Sequence, residues 1–128
     1  MISKTEVDEL ETLIGQLFSL HTEMTGLTKK SSSDAVNAFK LKLINKTVTR
    51  CNMLLGDAYR PFDDFVVFDS DDVPSNSDVT LMLGQYQEST EYFRSQHITQ
   101  RSGAWYYVLP ENEASVRTSP PVHLTTRG

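Results

Sequence analysis

The sequence predicts a mainly α-helical domain, a three-helix bundle with a small C-terminal β-hairpin that shades into α+β. Three observations carry this. Leucine and methionine recur at helical spacing from Leu10 to Leu27, two helix-start signatures stand at Ser3 and Ser75, and beyond Ser102-Gly103 the composition turns aromatic and branched. At 128 residues with 38% hydrophobic content, one compact core is expected rather than two. The domain should occupy residues 1–118, with 119–128 a flexible tail.

The first helix is expected from Ser3, which stands three residues before Glu6 in the spacing of a capping box. Leu10, Leu13, Leu17, Leu20, Met24 and Leu27 follow at alternating spacings of 3 and 4, one seam of a helix. Ile14 and Phe18 widen the stripe, as for a helix packed against two neighbours. Gly26 or the cluster Lys29 to Ser33 should end it. A second helix is expected from Ser32 or Ser33 to about Leu55, where Gly56 can take the left-handed conformation that closes helices. Its inner face should carry Phe39, Leu43, Cys51 and Leu55, with Leu41, Ile44 and Val48 beside them.

Residues 57–74 break the periodicity and mix aromatic with acidic residues. Such long connections are often functional, but pinning of Phe62, Phe65 and Phe68 into the core is the simpler reading. Ser75 and Asp78 repeat the capping-box spacing after Pro74, so a third helix should run to about His97 with Val79, Met82, Leu83, Tyr86 and Phe93 inward. Gly84 within it suggests a close helix crossing. Ala104 to Leu109 has strand character, Pro110 to Glu113 supplies a turn, and Ala114 to Thr118 returns as the second strand.

Composition narrows the function classes. Net charge is −5, the isoelectric point is about 5.1 and mean hydropathy is −0.36, so a soluble acidic protein is expected. No stretch approaches the roughly 18 apolar residues of a membrane helix. Early charges at Lys4, Glu6, Asp8, Glu9 and Glu11 replace the apolar run of a secretory signal, which makes the cytoplasm the expected location. Cys51 is the only cysteine, excluding an internal disulfide and a multi-cysteine zinc site. The Asn45-Lys46-Thr47 sequon is then incidental.

Charge is segregated along the chain. Residues 1–28 carry one lysine against five acids, residues 29–50 six bases against Asp34, and residues 51–78 Arg60 against seven acids. Lys42, Lys46 and Arg50 stand four apart and form a basic ridge that could face phosphates or an acidic protein. Neutralisation by the flanking acidic segments is the stronger reading, and the overall negative charge disfavours nucleic acid.

Catalytic and metal signatures are weak. Asp69-Ser70-Asp71-Asp72 lacks the glycine at the sixth and glutamate at the twelfth position of a calcium loop, offering Pro74 and Thr80 there. His21, His97 and His123 lie on separate elements with no metal-ligand spacing. Glycines are scattered singly, so no phosphate-binding loop exists, and Asp63 with Asp64 reads as a solvated pair. Cys51 reads as an inert core thiol. No cofactor is expected.

These features point to a non-catalytic module that binds another protein or itself, as an adaptor, inhibitor or regulator. Alternation along the strand places Trp105 and Tyr107 on one face, and with Arg117 they are the residue types that anchor interfaces. Self-association would use Leu10, Leu17 and Met24. The alternatives are nucleic-acid binding through Lys42, Lys46 and Arg50, or a small-ligand or anion pocket between the basic helix and the aromatic hairpin.

Overall fold

The computed structural model describes residues 1–122; His123 and the rest of the expected tail lie outside the described residues. Three helices and a small antiparallel sheet form the fold. The first helix, α1, spans Lys4–Ser31 and starts where the capping box places it: the Glu6 amide donates to Ser3 Oγ and the Ser3 amide to Glu6 Oε1, both at 3.1 Å. Val7, Leu10, Leu13, Leu17 and Met24 are buried, and Leu20 and Leu27 are half-buried beside them. Phe18 does not widen this stripe. It lies about 100° around the helix from Leu17 and is 65% exposed.

The second helix, α2, spans Ala38–Tyr59 and begins later than the serines suggest. Asn37 is the cap, accepting from the Lys40 amide at 2.8 Å. Residues 32–36 are held instead by the start of the third helix, through Val36 N to Pro74 O (3.0 Å), Asn76 N to Asp34 O (2.8 Å) and Ser77 N to Ser32 O (3.0 Å). Long-range backbone pairing thus overrides a local capping preference. Leu41, Ile44, Val48, Cys51 and Leu55 form the buried face, and Phe39 and Leu43 lie outside it. Gly56 interrupts the helix at φ 63°, and a last turn follows to Tyr59.

Helix direction explains the long connection. Ion pairs Glu9–Arg50 and Glu23–Lys40 set α1 antiparallel to α2. The third helix, α3 (Asn76–Ser95), is also antiparallel to α1, since Thr28 bonds Thr80 at 2.8 Å while Glu11 and Arg94 line one groove further along. With α2 and α3 therefore parallel, the intervening chain must run back along the bundle. It does so against α2: Asn52 Nδ2 donates to Val66 O (2.9 Å), and Asn45 exchanges bonds of 2.8 and 2.9 Å with the Phe68 backbone. Phe65 and Phe68 pack against the core, with Phe65 also meeting Tyr86, whereas Phe62 stays exposed. A single 3-10 turn at Ser70–Asp72 precedes the Ser75–Asp78 capping box of α3.

Val79, Leu83, Tyr86 and Phe93 form the buried apolar face of α3, and Met82 is half-buried. A Cβ on Gly84 would lie 3.7 Å from His21 Nε2, ordinary van der Waals contact, so α1 approaches closely there. The sheet has three strands rather than two, in the order β1 (Ile98–Arg101), β2 (Ala104–Tyr107) and β3 (Arg117–Thr118). β1 has little apolar signal beyond Ile98. It becomes a strand by pairing with β2 across Ser102 (φ 51°) and Gly103 (φ 82°), a two-residue turn whose positive φ angles match strand twist. β3 is shorter than the expected Ala114–Thr118 and pairs Trp105 with Thr118 and Tyr106 with Arg117.

Candidate functional site

The sheet does not assemble the aromatic surface that alternation suggests. Tyr107 is 3% exposed and belongs to the core, and Arg117 lies opposite Tyr106 on the other face from Trp105. Trp105 remains half-buried. Burial and Glu11 push the Tyr107 phenol upward, against Thr118 and Arg94. Arg101 covers Tyr106 at 4.4 Å from the ring centre. These contacts finish the end of the bundle.

Leu10, Leu17 and Met24 are also unavailable to a second copy, because all three are fully buried within one chain. The 3-4 spacing that suggested a dimer seam serves the intrachain core. α1 therefore turns a different face to solvent, with Thr12, Gly15, Ser19, Thr22 and Gly26 in one row at spacings of 3 and 4.

The basic ridge divides. Arg50 forms a fork with Glu9, Nε to Oε2 at 3.0 Å and Nη2 to Oε1 at 2.5 Å. These bonds hold the Glu9 carboxyl below the usual carboxylate range, against a smaller opposing effect of burial, and they raise the Arg50 pKa. Lys40 pairs with Glu23 at 3.1 Å. Lys42 and Lys46 are exposed, and among the described residues neither forms an ion pair. Beside them α2 exposes Phe39 (71%), Leu43 (41%) and Met53 (80%). Sequence reasoning placed Phe39 and Leu43 inside; the signal for exposure was the competing row Leu41, Ile44, Val48, Cys51 and Leu55, which keeps a strict 3-4 spacing.

This face of α2 borders a groove shared with α1. One section, about 710 Å³, is lined by Gly15, Gln16, Ser19, Leu43, Lys46 and Arg50 among others. Another, about 610 Å³, continues past Thr12 and Arg50 to Glu6, Met53 and Leu54. No residue of the hairpin lines either section, so Lys46 and Arg50 do not meet the aromatic strand in a common pocket.

A second polar constellation lies at the far end of α3. Arg94 is 4% exposed and donates to Glu91 Oε1 and Oε2, Thr118 Oγ1, Ser119 O and Pro120 O at 2.8 to 2.9 Å. Its five N–H donors each have an acceptor. Burial acts against the guanidinium charge, but the hydrogen bonds and charge of Glu91 prevail and raise its pKa. The Val122 amide donates to Glu91 Oε2 at 2.9 Å, so residues 118–122 are strapped to α3. Periodicity gave no hint of this buried pair, since Glu91 and Arg94 look like ordinary surface residues.

Other reactive groups are held quiet. Cys51 is buried, and desolvation pushes its thiol up to about 12, with Glu9 adding to the effect and Arg50 opposing it. His97 Nδ1 lies 2.7 Å from the Phe93 carbonyl. Among the described residues no group of His, Cys, Asp and Glu could hold a metal ion, and no helix is long and apolar enough to cross a membrane. Comparison with protein families, curated proteins and solved structures finds no match.

Proposed function

We propose that this chain is a non-catalytic protein-binding module whose docking surface is the outer face of α1 and α2. The observation that carries the reading is the exposed row Phe39, Leu43 and Met53, set beside Lys42 and Lys46 on a helix whose opposite face already fills the core. Each large apolar side chain gains about 1.5–3 kcal/mol on full burial, so three on one face supply a substantial association energy. The two lysines without ion pairs add orientation and partner choice more than affinity.

Nucleic-acid binding has less support. With Arg50 neutralised by Glu9, two lysines of the ridge remain on an acidic protein, and the exposed Phe39, Leu43 and Met53 beside them are apolar. A photoreactive amino acid at position 43, compared with one at Leu81 on the exposed face of α3, tests the docking surface in cells. A discrete protein adduct from position 43 and none from position 81 is expected. No adduct, or the same adducts from both positions, overturns the assignment.

A further inference from the structure

We infer that the occupant of this face is a second copy of the chain, related by a two-fold axis parallel to the helices, so that α1 of each copy lies over α2 of the other. This rests on the docking face proposed above and names its partner. Charge complementarity is the first argument. Helix α1 carries Lys4, Lys29 and Lys30 against five acids, Glu6, Asp8, Glu9, Glu11 and Glu23, whereas α2 carries Lys40, Lys42, Lys46 and Arg50 against Asp57. Rotation about an axis parallel to the helices stacks acidic α1 on basic α2 twice over. An axis across the helices would stack like on like. In the favoured arrangement Lys42 of one copy stands within about half a turn of Glu23 of its partner copy, which Lys40 of that copy also holds, and Lys46 lies about a turn and a half from Glu11, within reach of two long side chains.

Shape agrees with charge. Within one chain, Lys40 meets Glu23 and Thr47 meets Gln16, so these pairs mark equal heights along the two helices. By that scale Phe39 stands level with Thr22 to Gly26, and Leu43 level with Ser19. The two-fold preserves height, so these large side chains of one copy meet the small-residue row of the other. Gly26 fits this contact, and Gly15 continues the same row about one turn beyond Ser19. A Cβ at either would touch nothing among the described residues of its own chain, although each glycine costs the helix about 1 kcal/mol relative to alanine. Among the described residues no contact requires those glycines, whereas a helix seated on them would.

The area is adequate. Two adjacent helices, each about 10 Å across and overlapping for the 22 residues of α2, present a footprint of roughly 650 Å². Two such footprints bury roughly 1,300 Å² in total, at the lower end of the roughly 1,200–2,000 Å² of specific interfaces. The same symmetry closes the assembly at two copies, because both complementary patches on each chain are used.

The test uses the purified full chain in sedimentation velocity across a roughly hundredfold dilution. A reversible monomer–dimer equilibrium is expected. Leu43→Glu occurs twice per dimer, and two hot-spot losses of roughly 30-fold each raise the dissociation constant by roughly a thousandfold. Its helical circular dichroism should remain that of the parent, because position 43 is outside the core. The orientation is tested by mixing. K42E/K46E and E11K/E23K should each be monomeric alone and form a one-to-one heterodimer together, since reversing both signs restores both contacts. A chain that stays monomeric at all concentrations overturns the self-pairing, as does a dimer indifferent to Leu43→Glu or variants that fail to complement. A position-43 adduct to a different protein in cells, with a monomeric purified chain, would sink the self-pairing and leave the docking-module reading standing.

Discussion

Replacing Arg94 with alanine should be among the most damaging single substitutions in this chain. The side chain is 4% exposed and its donors reach Glu91, Thr118, Ser119 and Pro120. Removal leaves the Glu91 carboxylate, itself 8% exposed, with the Val122 amide as its remaining bond from the strap. It also leaves two backbone carbonyls and a threonine hydroxyl without their donor. Breaking a buried ion pair by removing one partner costs about 3–5 kcal/mol, a large share of the roughly 5–15 kcal/mol that holds a domain together. At about 3–4 °C per kcal/mol for a domain of this size, the melting temperature should fall by about 10–20 °C. Thermal and urea unfolding followed by circular dichroism would measure it. The double variant E91L/R94M should recover much of the loss, since it leaves neither charge uncompensated. Deletion of residues 118–128 removes three of the acceptors, so R94A should cost less in that background. A loss below about 1 kcal/mol for R94A, or the same loss in the truncated chain, would refute the view that this pair fastens the C-terminal strap to α3.

Further outcomes follow from the same contacts. Cys51 should resist a thiol reagent at pH 8 in the native state and react fully in denaturant, because burial holds the thiol near 12; rapid native labelling would contradict its core placement. Gly56→Ala should destabilise by about 1–3 kcal/mol, since φ 63° with ψ −174° is a region that side chains avoid, and an unchanged urea midpoint would show the kink to be dispensable. Glu9 has a folded pKa below its unfolded one, so its contribution is present above the unfolded value and fades as pH falls through the folded value. The stability gap between parent and Glu9→Gln should therefore narrow on acidification, measured at high dilution so that monomers are compared; a gap that widens would mean that folding does not lower the Glu9 pKa.

Local chemistry made most of the helical architecture legible. The capping boxes at Ser3 and Ser75 start α1 and α3 because each satisfies end amides with side chains three residues away. The leucine row of α1 is buried as its spacing implies, since a helix of that period has one face to hide. The candidate interface was not legible in the same way. Phe39 and Leu43 share a helix with a second apolar row, and composition cannot say which row faces the core. Trp105 and Tyr107 share a face as alternation implies, but only Tyr107 belongs to the buried core.

What the sequence by itself determined is therefore local: helix starts, periodic faces, the segregation of charge, and the strand character of Ala104 to Tyr107. Tertiary structure alone decided the late start of α2, the return path of residues 60–75, the third strand, and the burial of Glu91 with Arg94. Each of these depends on partners far along the chain. A backbone hydrogen bond, a parallel helix pair or a strap over a guanidinium leaves no periodic trace in the residues that make it, because its energy comes from groups that only folding brings together.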